Sequence, residues 1–128
     1  MSTAITEGIQ ISVKTHFRPD LSDLGLNRFF FNYRVEMVNH NPYPVQLLSR
    51  DWFIFDSLED ASYVTGEGVV GEQPVLDPGQ RFSYMSGCEL NSEIGSMHGF
   101  YTFRNLKSGD LLQVNIPLFH LYYPGKLN

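Results

Sequence analysis

Several things are scarce in this 128-residue chain, and each scarcity closes off a class of protein. It holds one cysteine, Cys88, so no internal disulfide framework can form, which suits a reducing compartment. Basic residues are few. Nine Lys and Arg face fourteen Asp and Glu, and the formal net charge of -5 removes the positive footprint that DNA and RNA binders rely on. No stretch approaches the ~18 consecutive apolar residues of a membrane helix. The opening MSTAITEGIQ has no basic residue and no apolar h-region. Helical periodicity with capping signals is also missing, so helix content should be very small. The expectation is a cytoplasmic protein with no nucleic-acid partner and no membrane insertion.

What remains is material for one all-β domain spanning 1–128, because 42% of the residues are apolar and 14% aromatic. Ile9, Ile11, Val13 and Phe17 share one face of a strand over 9–17. A turn-rich loop with Pro19 and Gly25 follows, and then the longest alternating run, 28–38, with Phe29, Phe31, Tyr33, Val35 and Met37 on one side. Residues 39–44, NHNPYP, read as a hairpin connection into 45–56. That strand is apolar on both faces, with Leu48, Trp52 and Ile54 at even positions and Val45, Leu47, Phe53 and Phe55 at odd ones. A bulge or change of sheet near residues 49–51 reconciles the two. Further strands are expected at 62–65, 80–88, 96–103 and 111–123, with a Gly109 turn before the last and a break or edge position at Pro117. Glycines and prolines between 66 and 79 argue for an irregular loop. Seven or eight short strands with this aromatic content describe an antiparallel β-sandwich of immunoglobulin or fibronectin-III type.

The motif that first suggests chemistry is Gly66-x-Gly68-x-x-Gly71, which matches the dinucleotide-binding fingerprint as a string. In that fingerprint the glycines open a helix whose N-terminus holds pyrophosphate. Here Pro74 and Pro78 forbid the helix, so the glycines read as loop residues with positive φ. The sharper alternative is a nest of amides that holds an anion, with Glu67 and Glu72 weighing against it. The candidate binding residues are therefore Gly66, Glu67, Gly68, Gly71, Glu72 and Gln73, joined by Arg50. Arg50 and Trp52 stand two apart on a strand, as an exposed recognition face or as a stacked pair, while core packing is the commoner fate of a lone Trp. The run 119–123 reads as core plus edge. His16, His40, His98 and His120 lack the spacing of metal ligands, and no Gly-x-Ser-x-Gly elbow occurs. No metal, cofactor or catalytic residue is expected.

Three strings carry a resemblance to a known family. They are QLLSR-x-W (Gln46, Leu47, Leu48, Ser49, Arg50, Trp52), GEGVVGEQPVL with Pro78 and Gly79, and Tyr84-x-Ser86-Gly87-Cys88. Together with Pro124 and Gly125, the chain over about residues 8–125 resembles the ApaG family. The departures are Glu89, the stretch 91–93, and His98 where Arg is common. What the resemblance implies is a fibronectin-III-like or immunoglobulin-like sandwich and an association of the bacterial family with Co2+ resistance and Mg2+ efflux. It also implies interaction modules, since related domains occur in a eukaryotic F-box protein and a polymerase-interacting protein. The function expected is a noncatalytic module that binds a protein partner and is linked only indirectly to cation resistance. The alternative is a binder of pyrophosphate or a nucleotide, with or without a divalent cation, in the 66–71 loop. Exposed sheet edges would also permit a homodimer.

Overall fold

The computed structural model describes residues 1–127. Nine strands follow one another: β1 (Ser2–Thr6), β2 (Ile9–Phe17), β3 (Phe29–Asn39), β4 (Val45–Asp56), β5 (Ser62–Glu67), β6 (Val75–Leu76), β7 (Arg81–Leu90), β8 (Ile94–Asn105) and β9 (Leu111–Tyr122). They form two antiparallel sheets, one in the order β1-β2-β3-β7 and one in the order β5-β4-β8-β9, with β6 added to β4. The chain is thus an all-β sandwich, as its alternation requires. Two strands add to the seven legible in the sequence. β1 half-covers only small or polar positions (Ser2, Ala4, Thr6), so it carries no apolar signal. β6 is two residues long, and it pairs Val75 and Leu76 with Gln46 and Val45 inside the loop expected to be irregular.

The connection 39–44 is not a hairpin. β3 already has β2 on one side and β7 on the other, so no free edge remains and the chain crosses to the second sheet. The fully buried Asn39 makes that crossing, its Nδ2 donating to the carbonyls of Tyr43 (2.9 Å) and Leu76 (3.0 Å) and its Oδ1 accepting from the Asn41 amide (3.0 Å). The bulge expected near 49–51 lies one residue earlier, between Leu47 and Ser49 in the β4–β8 register. It switches the inward row of β4 from odd (Val45, Leu47) to even (Trp52, with Asp56 at the end). A second bulge in the β8–β9 register places Pro117 and Leu118 opposite His98, so the proline sits where the ladder is already interrupted.

Between the sheets lies one aromatic core. Trp52, 2% exposed, packs against Tyr33 (5.3 Å between ring centroids), Phe119 (5.8 Å) and Tyr101 (6.2 Å). This core packing, rather than an exposed face, is the role of the only Trp. Phe119 and Leu121 of the C-terminal run face inward, while the His120 and Tyr122 rings stack outside at 5.1 Å. One flank of the sandwich is closed, since β1 and β2 pack on β9 and the Asn115 amide donates to Thr6 Oγ1 at 3.2 Å. The opposite flank, between β5 and β7, is open. Truncating the central indole leaves a cavity that packed strands cannot fill. Trp52→Ala is expected to cost about 3–5 kcal/mol in urea unfolding, with an unchanged m-value.

Candidate functional site

The β4 bulge takes Leu48 out of the ladder to β8 and leaves its carbonyl free. That oxygen accepts from the Gly68 amide at 2.8 Å and from Gln73 Nε2 at 2.9 Å, which ties down both ends of the glycine loop. Gln46 Nε2 adds a bond to the Gln73 carbonyl (3.1 Å), and the Leu47 amide one to Pro74 (3.0 Å). Inside the loop, Val69 is fully buried. The pair Val69 N to Glu72 O (2.8 Å) and Glu72 N to Val69 O (2.9 Å) closes a two-residue turn. Val70 and Gly71 at its tip have φ of 49° and 78°, the backbone of a type I′ hairpin turn.

Each glycine of the motif has a different reason to be one. A Cβ on Gly66 would lie 2.8 Å from Arg50 Nη2. A Cβ on Gly68, whose φ is +61°, would lie 2.2 Å from the Glu72 carbonyl oxygen. Gly71 needs only its positive φ, for nothing lies within 4 Å of the atom it lacks. Val70 is the exception to this economy. It is β-branched, 65% exposed, and held in a left-handed conformation that such residues avoid.

Glu67, Gly68, Gly71, Glu72 and Gln73 line one shallow cleft of about 330 Å³. Five of the seven residues singled out from the sequence thus come together. Three of the loop's amides, those of Gly68, Val69 and Glu72, donate to backbone carbonyls, and two carboxylates flank the cleft. Arg50 faces the other way. Its Nη1 donates to the carbonyls of Glu67 and Gly68, both at 2.8 Å, so it clamps the loop from within the sandwich rather than stacking on Trp52.

A second cavity, missed in the sequence, opens on the flank between β5 and β7. About 340 Å³ in volume, it has Tyr33, Trp52, Ile54 and Met97 on its floor, Arg50 and Val64 on one side, and residues 86–89 on the other. The family strings around Arg50 and Cys88 converge there, because Tyr33 pairs with Ser86 and Phe31 with Cys88 across β3 and β7. Only the pairing of distant strands creates this site. Beneath it the Tyr84 and Tyr101 hydroxyls share a 2.5 Å hydrogen bond. Burial raises the phenols of Tyr33, Tyr84 and Tyr101 above their ordinary range, while the positive charge of Arg50 pulls all three back. Burial likewise pushes the Cys88 thiol up to about 11, with Asp56 and Glu89 adding to the shift. Cys88 is therefore a protonated thiol at neutral pH. His98 lies on the outer face, stacked on Phe53 at 5.3 Å, and Phe53 also touches Tyr63 at 5.0 Å. Among the described residues, no group of three or more His, Cys, Asp and Glu is placed to hold a metal ion. No helix among them is long and apolar enough to cross a membrane.

The sequence profile of the ApaG domain matches residues 19–105. The chain belongs to the ApaG family. It is 46% identical to Protein ApaG of Anaeromyxobacter dehalogenans strain 2CP-C, over the full length of both chains. Protein ApaG of Methylorubrum extorquens strain PA1 is 44% identical, over 97% of this chain and 95% of the relative. Among solved structures, a protein assigned as ApaA from Bordetella pertussis superposes with a TM-score of 0.87 at 39% identity, covering 91% of this chain and 94% of the other. Membership accounts for the fold and for the three strings that build the loop and the open flank.

Two outcomes follow from this geometry. The left-handed strain at Val70 should be relieved by a residue that tolerates it. Val70→Asn is expected to raise unfolding stability by about 1 kcal/mol in urea titrations. The second concerns alkaline pH. The Cys88 thiol goes from 9.0 unfolded to about 11 folded, so its contribution is complete below pH 9 and is lost as pH rises through 11. The buried phenols act in the same direction at higher pH. Unfolding free energy is expected to be level around neutrality and to fall above about pH 9, with a shallower fall in Cys88→Ala.

Proposed function

We propose that this protein is a noncatalytic β-sandwich module that binds another protein, with the loop at residues 66–73 as a principal contact. The observation that carries this reading is Val70. A fully buried neighbour, two bonds to Leu48 and the Arg50 clamp make the loop rigid, and its tip presents an apolar, β-branched side chain to solvent in a strained backbone. Strain and exposed apolar surface at one point are costs that a contact with a partner would offset. A thiol-dependent enzyme would need an activated thiolate in a cleft. The cleft beside the loop brings together two carboxylates and glycine backbone, and the deeper cavity holds a thiol whose pKa is raised, opposite to that of an activated nucleophile. A cytosolic location and an indirect link to Co2+ and Mg2+ resistance, through the partner, belong to the same proposal.

A second reading rests on the cleft of about 330 Å³ at the loop, in which Glu67 and Glu72 would hold a divalent cation that in turn holds pyrophosphate or a nucleotide. The two readings separate on different probes. Amide NMR spectra titrated with Mg2+ and pyrophosphate, then with a dinucleoside tetraphosphate, are expected to show no saturable shift at 66–73 up to millimolar concentration. Saturation there, abolished by Glu72→Gln, would favour the second reading. Cross-linked capture from the host cell is expected to retrieve a partner whose binding Val70→Asn weakens by at least about tenfold while the variant gains stability. Retention by the variant would remove the loop tip from the contact.

A further inference from the structure

The open flank offers two free strand edges and one half-buried cation, with the exposed Glu89 at its β7 lip. β7 pairs with β3 alone, so alternate N–H and C=O groups along its other side have no strand partner. β5 pairs with β4 alone and forms the facing edge. Residues that pair across a sheet point the same way, so a strand laid beside β7 would turn the residue level with Ser86 into the sandwich. That side chain would descend beside Tyr33, the β3 partner of Ser86, whose ring rests on Trp52. Arg50 lies two residues along the same inward row of β4. It pairs with Gly66, whose missing side chain leaves the guanidinium uncovered on the β5 side.

Arg50 is a half-buried cation without a carboxylate. The ion pairs among the described residues are Arg18 with Asp20 and Arg81 with Glu36. The bonds of Arg50 are two from Nη1 to neutral carbonyls, which leaves Nε and Nη2 as donors. A guanidinium drawn partly out of water with donors to spare gains most from a carboxylate. Two and then four positions along from that contact, toward the end of β4, inward residues of the added strand would meet Val64 and then Ile54 and Met97, all apolar. A second copy of this chain's own free edges would not supply the acid. The inward rows are Phe82, Tyr84, Ser86 and Cys88 on β7 and Ser62, Val64 and Gly66 on β5, with no carboxylate in either.

We infer that the groove between β5 and β7 receives an extended segment of a partner protein, laid along the free edge of β7, with an acidic side chain on Arg50 and apolar residues two and four positions along. This is strand addition, with the ladder giving affinity and the pocket giving specificity. It rests on the reading of the protein as a binding module and names the chemistry of the partner.

The probe is a displayed library of random peptides about eight residues long, selected on the full chain, with the winners synthesised. Enrichment of an Asp or Glu with apolar residues two and four positions along on one side is expected. Amide shifts should fall at 64–67 and 86–89 and on the Trp52 indole. Exchanging the acid for its amide should weaken binding at least about tenfold. Arg50→Gln should do the same, and Val64→Glu, at a half-exposed position away from the core, repeats the test without disturbing the loop clamp. Tyr63→Ser, on the outer face of the same strand, should leave affinity within about twofold. The inference falls if nothing is enriched, if the winners bind equally without the acid, if their shifts lie at the loop cleft or on the outer face, or if the groove signals move only with concentration-dependent self-association. A cellular partner that Val64→Glu still binds normally, but Val70→Asn does not, would leave the binding-module reading standing and overturn the groove alone.

Discussion

One extra residue in β4 sets the inside and outside of this protein. Leu48 has no partner in the β8 ladder, and that single bulge moves the inward row of β4 from odd to even positions. Without it, Leu47 and Trp52 could not both be buried. With it, Trp52 becomes the hub of the aromatic core, Arg50 enters the sandwich behind it, and the released Leu48 carbonyl becomes the anchor for a loop 20 residues further on. The core, the clamp and the loop are three consequences of one backbone irregularity.

Arg50 joins these parts electrostatically. It holds two loop carbonyls, opposes the burial-driven rise of three tyrosine phenols, and supplies the one charge on the β4 side of the open flank. A guanidinium suits the position because it keeps its charge at any physiological pH and has donors in several directions. The glycine motif makes sense in the same terms. Gly66 makes way for the guanidinium, Gly68 for a backbone carbonyl, and Gly71 for a tight turn. The string that resembles a dinucleotide fingerprint is spent, residue by residue, on building a rigid hairpin tip. Its order and spacing serve a strand-turn-strand path, whereas the fingerprint serves a strand-turn-helix path.

The same geometry makes position 68 a poor probe of function. Alanine there overlaps the Glu72 backbone, so loss of any activity in Gly68→Ala would report a displaced loop. At Gly71 the space is open, and an alanine there would meet only the strain of the positive φ. Elsewhere, the closed and open flanks divide the labour of the sandwich. β1 seals one side with small residues, and the other side keeps two unpaired edges that face each other across an amphipathic groove.

Much of the architecture was written in the sequence because alternation is a local property. Residues 9–17, 28–38 and 96–103 disclose their buried faces by period two, the double-faced pattern of 45–56 demands a bulge, and Pro117 marks an irregularity in the last strand. Gly66 to Gln73 were recognisable as a unit for the same reason, since turn chemistry is also local. The partner of each strand is not local. Whether 39–44 turns back or crosses over depends on β7, some 40 residues later, occupying the edge of β3. Whether Arg50 faces water or carbonyls depends on which side of the bulge it falls. The groove exists only because β5 and β7, each with one neighbour, end up on the same flank. Side-chain periodicity depends on the next few residues, while edges and cavities depend on how every strand has been paired, and only the tertiary structure decides that.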